Sequence, residues 1–326
     1  MKKYLLTALF SLLALGIQAE AENELRWGIS LGSGAITFES DQTDSDTSDY
    51  YSSEADYNPT IFGFDVSNGT HSVSFINTSS GSEDLDTSSS TTSDYNTLSA
   101  ERDYDEMSIT YLYRINNSWS VGLGYNKISN DSSRVRAASW DYFDSWQSWT
   151  NATDPGQYTF TRTLENESEM DGLTLLATWV KPIESSPNWV FAAKMGLADT
   201  EYSNSFSGTN VLSGVPVDLN TYLIDYGYGN ANGDGWDWSG TETGDNIAAV
   251  FGLTMVYIVN PQNTISFNYD TRVDDFGELT ADYVETPRGG WVTAEDEELQ
   301  GTETYNNIEI EQTNWKFTIV WRFALN

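Results

Sequence analysis

The sequence predicts an all-β protein, a ten-stranded antiparallel up-and-down transmembrane β-barrel with long extracellular loops. Three observations predict it. Apolar and small polar residues alternate with period two in one segment after another. The connections between those segments alternate short and long. A polar average, with a mean hydropathy of −0.45, coexists with 12 Trp, 19 Tyr and 14 Phe. That aromatic content excludes an acidic disordered chain. With no Cys there is no disulfide framework, thiolate metal site or Cys nucleophile. The 15 Lys+Arg stand against 49 Asp+Glu, with a pI near 4.1. Phosphate backbones need clustered bases, so nucleic acid is excluded as a partner.

The N-terminus opens on Met1-Lys2-Lys3, continues through an apolar run from Tyr4 to Ile17, and reaches small residues at Ala19 and Ala21. This is the three-part layout of a signal peptide over residues 1–19, cut after Ala19 or after Ala21. Residues 20–326 then form a single barrel domain. An apolar run of about 14 residues falls short of the roughly 20 that a spanning helix needs. No later stretch is apolar enough to span as a helix, so a place in a membrane requires a closed barrel. Losing the leader takes Lys2 and Lys3 from the 15 bases and none of the 49 acids, leaving 13 bases.

The strands follow in order. Leu25, Trp27, Ile29 and Leu31 share one face, with Arg26, Gly28, Ser30 and Gly32 on the other. His71, Val73 and Phe75 alternate with Ser72 and Ser74. Met107, Ile109, Tyr111 and Tyr113 alternate with Ser108, Thr110 and Arg114; Trp119, Val121, Leu123 and Tyr125 alternate with Ser120, Gly122 and Gly124. The same pattern runs through Trp189–Leu197, Ile265–Tyr269 and Trp315–Phe323. A single half-buried soluble strand looks the same. Here the polar face is mostly Gly, Ser, Thr and Asn rather than charged, as a crowded lumen demands, and aromatics mark the strand ends.

Short turns fall at Ser67–Thr70, Asn116–Ser118, Pro182–Asn188 and Asn260–Asn263. Long polar segments lie near 39–58, 77–105, 128–169, 200–245 and 273–307. Short and long in strict alternation give ten strands with both termini on the short-turn side. Structureless loops of such length are uncommon. The strands are therefore expected to continue outside the membrane as hairpins, notably where Tyr158-Thr159-Phe160-Thr161-Arg162 alternates.

The stretch Trp315–Phe323 (WKFTIVWRF) resembles the closing strand of bacterial outer-membrane β-barrel proteins. In those the strand ends in an aromatic and is read by the barrel assembly machinery. This chain departs from the pattern by Ala324-Leu325-Asn326 after the last aromatic. The resemblance implies the outer membrane of a Gram-negative bacterium, with lipid and lipopolysaccharide around the wall and the assembly machinery as a partner. In size and strand count the chain is also similar to the omptins, outer-membrane proteases that use an Asp-His pair and a further Asp pair at the extracellular mouth. The single His, His71, lies beside a short turn, at the opposite end. An omptin mechanism is thereby disfavoured.

Other chemistry is sparse. Ser72 and Ser74 neighbour His71 but face the other way, so a His-activated Ser is not formed and an interfacial His is favoured. Paired carboxylates for glycosidase-like work leave no preferred pair among so many acids. Trp140, Tyr142, Phe143, Trp146 and Trp149 crowd the third long segment, either as a recognition platform or as the packing of a loop hairpin. Asn230, Asn232, Asp234 and Asp237 follow the spacing of a Ca²⁺ loop, but Thr241 holds the position of the bidentate Glu. A Gly-rich turn without metal is favoured over Ca²⁺, the one cofactor the sequence suggests.

Arg26, Asp65, Arg114, Lys194, Asp270, Arg272, Lys316 and Arg322 are expected on the inward face, along with Glu309 and Glu311. Arg102, Lys127, Arg134, Arg136, Arg162 and Arg288 are the few bases of the acidic long segments. A barrel only slightly wider than the eight-stranded size is filled by side chains, so these charges are expected to form a network that plugs it. The expected function is surface recognition or a structural role, through an extracellular ligand the sequence does not name. A narrow channel for small cations or solutes is the alternative, and a cell-surface hydrolase comes third.

Overall fold

A computed structural model of the chain describes residues 25–44, 50–84, 96–140, 158–213, 235–288 and 299–324. The expected leader lies outside these residues. The strands are β1 (Arg26–Asp44), β2 (Tyr50–Tyr57), β3 (Thr60–Ser67), β4 (His71–Asp84), β5 (Asn96–Arg114), β6 (Trp119–Trp140), β7 (Tyr158–Pro182), β8 (Trp189–Ser213), β9 (Gly235–Asn260), β10 (Asn263–Arg288) and β11 (Leu299–Ala324). From β3 to β11 each strand pairs antiparallel with the next, and β11 returns to β1 from Arg26↔Ala324 to Asp44↔Tyr305. The sheet is closed.

Both β2 and β3 pair with β1, the first against Ile36–Thr43 and the second against Arg26–Ser33. They are two halves of one wall strand, interrupted at Asn58-Pro59, where proline supplies no N–H to the ladder. The barrel therefore has ten wall strands, the number the alternation predicts.

Three of the short turns use one device. Asn68 Oδ1 accepts the N–H groups of Thr70 (3.1 Å) and His71 (2.7 Å). Asn116 Oδ1 accepts those of Ser118 (2.8 Å) and Trp119 (2.9 Å). Asn260 Oδ1 accepts those of Gln262 (3.0 Å) and Asn263 (2.9 Å). An Asn side chain that replaces the missing ladder partner fixes each turn locally.

At the other end the strands run much further than their apolar alternation. Much of 39–58, 77–105, 128–169, 200–245 and 273–307 is wall rather than loop. The expected hairpin at Tyr158–Arg162 pairs with Arg136–Trp140. The sequence hides this extension because the outward face there turns polar, while backbone pairing persists without a lipid-facing apolar stripe.

The outward face separates into two zones. Next to the short turns it is apolar, with Leu175 62%, Leu197 58%, Ile247 72% and Trp315 60% exposed. On β8 this belt runs from Trp189 to Leu197. About nine residues at roughly 3.3 Å each, tilted about 40°, give a height of about 23 Å. Large exposed side chains at that height match the hydrocarbon core of a bilayer, and a closed barrel leaves no unpaired edge in it. Beyond the belt the same face turns acidic: Glu39, Asp105, Asp131, Glu169, Glu201, Asp245 and Asp275 each follow the last apolar outward residues of their strands. Glu309 and Glu311 belong to this outer collar rather than to the lumen. They share parity with Trp315, whereas Ile308 and Ile310 point inward and are 3% exposed.

In β10 the inward parity changes at Gly277, which adopts φ 63° at a bulge between Asp275 and Leu279. Asp275 Oδ1 accepts the Gly277 N–H at 3.0 Å. Only glycine takes that backbone without strain. The extra residue puts Leu279 and Ala281 inward, where even-numbered Arg272 and Asp274 point before it.

Candidate functional site

The lumen is built in layers that follow the inward positions of the strands. At the short-turn rim stand the exposed Arg26 and Arg114. Arg322 reaches Thr264 Oγ1 at 3.2 Å and lies 4.0 Å from Asp65.

Above the rim an ion-paired layer runs from the level of the apolar belt to the edge of the acidic collar. Lys194 Nζ is 2.8 Å from Asp270 Oδ1, and Lys316 Nζ donates to Glu106 Oε2 at 2.8 Å. Arg272 is buried and donates to both Asp274 oxygens (2.6 and 3.0 Å) and to Thr200 Oγ1 (2.5 Å). Glycine makes room for one of these pairs: a Cβ on Gly252 would stand 2.2 Å from Asp270 Oδ1 and 2.6 Å from Lys194 Cε. Asp65, Glu106, Lys194, Asp270, Arg272 and Lys316 are among the side chains around a cavity of about 330 Å³. Each charge has an opposite charge at hand, as a low-dielectric interior demands.

Further along β1, β2, β5, β6, β7, β10 and β11 the lumen becomes apolar. Ile36, Phe38, Ala55, Tyr57, Tyr104, Ile128, Met170, Phe276, Leu279, Ile308 and Ile310 are buried in one cluster. The rings of Tyr57 and Tyr104 lie 5.2 Å apart. Their hydroxyls tie this layer to polar neighbours: Tyr57 donates to Asn130 Oδ1 at 2.9 Å, while Tyr104 donates to Glu106 (3.2 Å) and accepts from Gln312 (2.5 Å). The layer crosses the barrel at the height of the acidic collar.

Beyond it, on the inward face of β5, β6 and β7, come Arg102, Arg134, Arg136 and Arg162. Burial and the neighbouring guanidiniums of Arg136, Arg102 and Arg162 push Arg134 down to about 10. Arg136 is lowered by burial and by Arg162. Ten bases (Arg26, Arg102, Arg114, Arg134, Arg136, Arg162, Lys194, Arg272, Lys316 and Arg322) thus share the inner face, against the acids of the outer one. In the collar, Glu39 lies across from both Glu54 and Glu311, and burial followed by these two carboxylates raises its pKa.

Of the residues the sequence singles out, the structure brings together Lys194 with Asp270 and Arg322 with Asp65. Lys316 and Arg272 take partners that the sequence reading omits, Glu106 and Asp274. Glu106 shares parity with Arg114 along β5 and is legible there; Asp274 falls in a segment whose polar pattern reads as loop. The sequence pattern places the four arginines among the loop bases and gives no sign of the inward apolar layer. Trp140 closes β6, paired with Tyr158; Tyr142, Phe143, Trp146 and Trp149 lie outside the described residues. So do Asn230, Asn232 and Asp234. Asp237 is a regular strand residue of β9, across from Thr209 and Thr286, and Thr241 is extended in the same strand. The second half of the suggested Ca²⁺ loop is therefore wall. Among the described residues no three His, Asp or Glu side chains converge as metal ligands.

His71 sits beside a short turn on the outer face. Its Nδ1 is 2.8 Å from the Tyr111 hydroxyl, and its ring lies 5.3 Å from that of Tyr113. It belongs to an aromatic rim at the edge of the belt, far along β4 from the acidic collar.

No known family model matches the chain, and no curated protein matches it. Solved structures do. The outer membrane protease OmpT from Escherichia coli is 10% identical, with 94% of this chain and 98% of that one covered and a TM-score of 0.44. The translocator domain of the autotransporter NalP from Neisseria meningitidis is 10% identical over 99% and 97%, with a TM-score of 0.41. Ail, the attachment invasion locus protein of Yersinia pestis, is 9% identical over 92% and 99%, with a TM-score of 0.27. The assignment of fold rests on the pairing itself. In architecture the chain is a closed ten-stranded antiparallel β-barrel of the outer-membrane type.

Proposed function

We propose that the protein is an outer-membrane barrel whose lumen is closed and whose long-loop end serves recognition at the cell surface, rather than conduction or hydrolysis. The observation that carries this reading is the apolar layer of Ile36, Phe38, Tyr57, Tyr104, Ile128 and Ile308 lying across the lumen on top of the ion-paired layer. Hydrated solutes would have to strip their water to pass it and would meet paired charges beneath it. The belt sets the barrel in lipid, and the long strands carry the loops well beyond the membrane surface. The acidic collar stands where lipopolysaccharide would surround it. Against hydrolysis stands the position of His71, hydrogen-bonded in the aromatic rim at the short-turn end. Liposome swelling with small sugars tests the closed lumen. Vesicles carrying the refolded protein should swell no faster than empty ones, and sugar entry at a porin-like rate would overturn the reading.

A further inference from the structure

We infer that the four inward arginines beyond the apolar layer form a binding site for a multivalent oxyanion of the phosphate class, opening toward the long-loop end of the lumen. The inference deepens the recognition reading and rests on it, since the apolar layer is the floor of the site.

The placement is specific. Arg136 and Arg162 are direct cross-strand partners on β6 and β7. Arg134 follows Arg136 on the same face of β6, and Arg102 lies across from Ser132, diagonal to Arg134. Like charges directly opposite each other destabilise a sheet, and this chain has 49 acids from which a partner for each guanidinium was available. On β5, β6 and β7 the neighbouring acids point the other way: Glu101, Asp103, Asp131, Glu165 and Glu167 all lie on the outer face. Glu83 of β4, in the register position opposite Arg102, is the acidic position that shares its face.

Two of the guanidiniums are oriented by aromatic rings, and three carry buried nitrogens. Arg162 stacks over the Trp238 ring at 4.9 Å, and Arg102 lies 5.9 Å from the Phe38 ring centroid. Stacking through the face leaves the N–H edge of a guanidinium free for a ligand. The Nε atoms of Arg102, Arg134 and Arg136, together with one terminal nitrogen of Arg102, are buried and have no hydrogen-bond partner among the described residues. Buried donors of this kind carry a desolvation cost until something accepts from them. Several forked donors crowded on one wall match a tetrahedral oxyanion that accepts two hydrogen bonds from each fork, and a diphosphate matches their summed charge better than one carboxylate does.

The test is titration calorimetry of the full-length refolded barrel with inorganic pyrophosphate, run beside bicelles doped with a phosphomonoester lipid to separate a free solute from a lipid headgroup. Pyrophosphate should bind one to one. Arg134→Gln with Arg136→Gln should weaken it at least tenfold, and Arg134→Lys, which keeps the charge but not the fork, should fall between. Binding of the lipid alone would assign the phosphate to a headgroup within the same chemistry. Should the double variant fail to fold, Arg162→Lys and the steepness of the salt dependence in the wild type carry the test. No heat with either probe, or affinity unchanged in the variants, overturns the site, and a carboxylate of the chain itself seated on the arginines would give the first of these results. Solute entry through a barrel that still binds pyrophosphate would overturn the closed lumen instead.

Discussion

Lys316 on β11 and Glu106 on β5 meet across the lumen, Nζ to Oε2 at 2.8 Å, with their side chains only 11% and 10% exposed. These strands are not neighbours in the sheet, so the pair braces the barrel across its interior. Lys316 also lies 3.5 Å from Thr78 Oγ1 on β4, and Asn126 on β6 donates to the other Glu106 oxygen at 3.1 Å. One cation thereby couples β11 to β4, β5 and, through Glu106, β6.

Breaking this pair from one side leaves a buried charge without its partner, which costs about 3–5 kcal/mol. Lys316→Met should lower stability by that amount in urea unfolding from phospholipid vesicles. Lys316→Met combined with Glu106→Leu should recover most of the loss, because two apolar groups satisfy each other. A double variant as unstable as the sum of the single ones would show that the two residues act separately.

The belt predicts a sharp boundary along one wall. Leu175 and Leu197 sit in its apolar zone and Glu201 beyond it. An arginine facing lipid near the bilayer midplane costs about 2–4 kcal/mol and one near the interface about 0–1. Leu175→Arg should therefore destabilise the folded barrel strongly, while Glu201→Arg is nearly neutral. Equal effects would displace the membrane from the height assigned to it.

Glu242, beyond the belt on β9, holds its proton more tightly when folded. Burial raises its pKa, and hydrogen bonds from Asn204 and Tyr202 lower it by less. A raised folded pKa makes protonation favour folding. The contribution is complete below the ordinary carboxylate range and is lost as pH rises through the folded value. Glu242→Gln keeps the shape without the charge, so it should be more stable than the wild type at pH 7 and equal to it at pH 4. A variant less stable than the wild type at pH 7 would show that the carboxylate is stabilised by a partner.

The wall strands and their number were legible because lipid on one side and a crowded lumen on the other force period-two patterning on every residue from Trp189 to Leu197 or from Trp315 to Phe323. The signal stops where lipid stops. Above the belt Glu165, Glu167 and Glu169 face water while Leu164, Asn166 and Ser168 face the lumen, a pattern that reads as loop although the pairing is unbroken. For the same reason Arg134 and Arg136 read as loop charges, although their spacing of two puts them on one face of a strand. Ile36 and Phe38 show a different failure. They follow Gly32 and Gly34 on the inward face, so the lumen changes from small to apolar within one strand, and a rule that apolar means outward fails at that point. Glu309 and Glu311 differ by one in parity from the inward Ile308 and Ile310, and a shift of one reverses the face of every side chain in a strand.

Orientation in the outer membrane has its own check. Protease added to intact cells should cut only at the long-loop end, between the described strands, or nowhere if that end packs tightly. Cleavage at Asn116–Ser118 or Asn260–Asn263 in intact cells would reverse the orientation.

The closed lumen is tested most directly by single-channel recording of the refolded protein in a planar bilayer. The wild type should insert and give no stepwise current, whereas the quadruple variant Phe38→Ala, Tyr57→Ala, Tyr104→Ala, Ile308→Ala, with the apolar layer emptied, should open measurable steps. A stable, large conductance from the wild type would contradict the account and make the protein a channel.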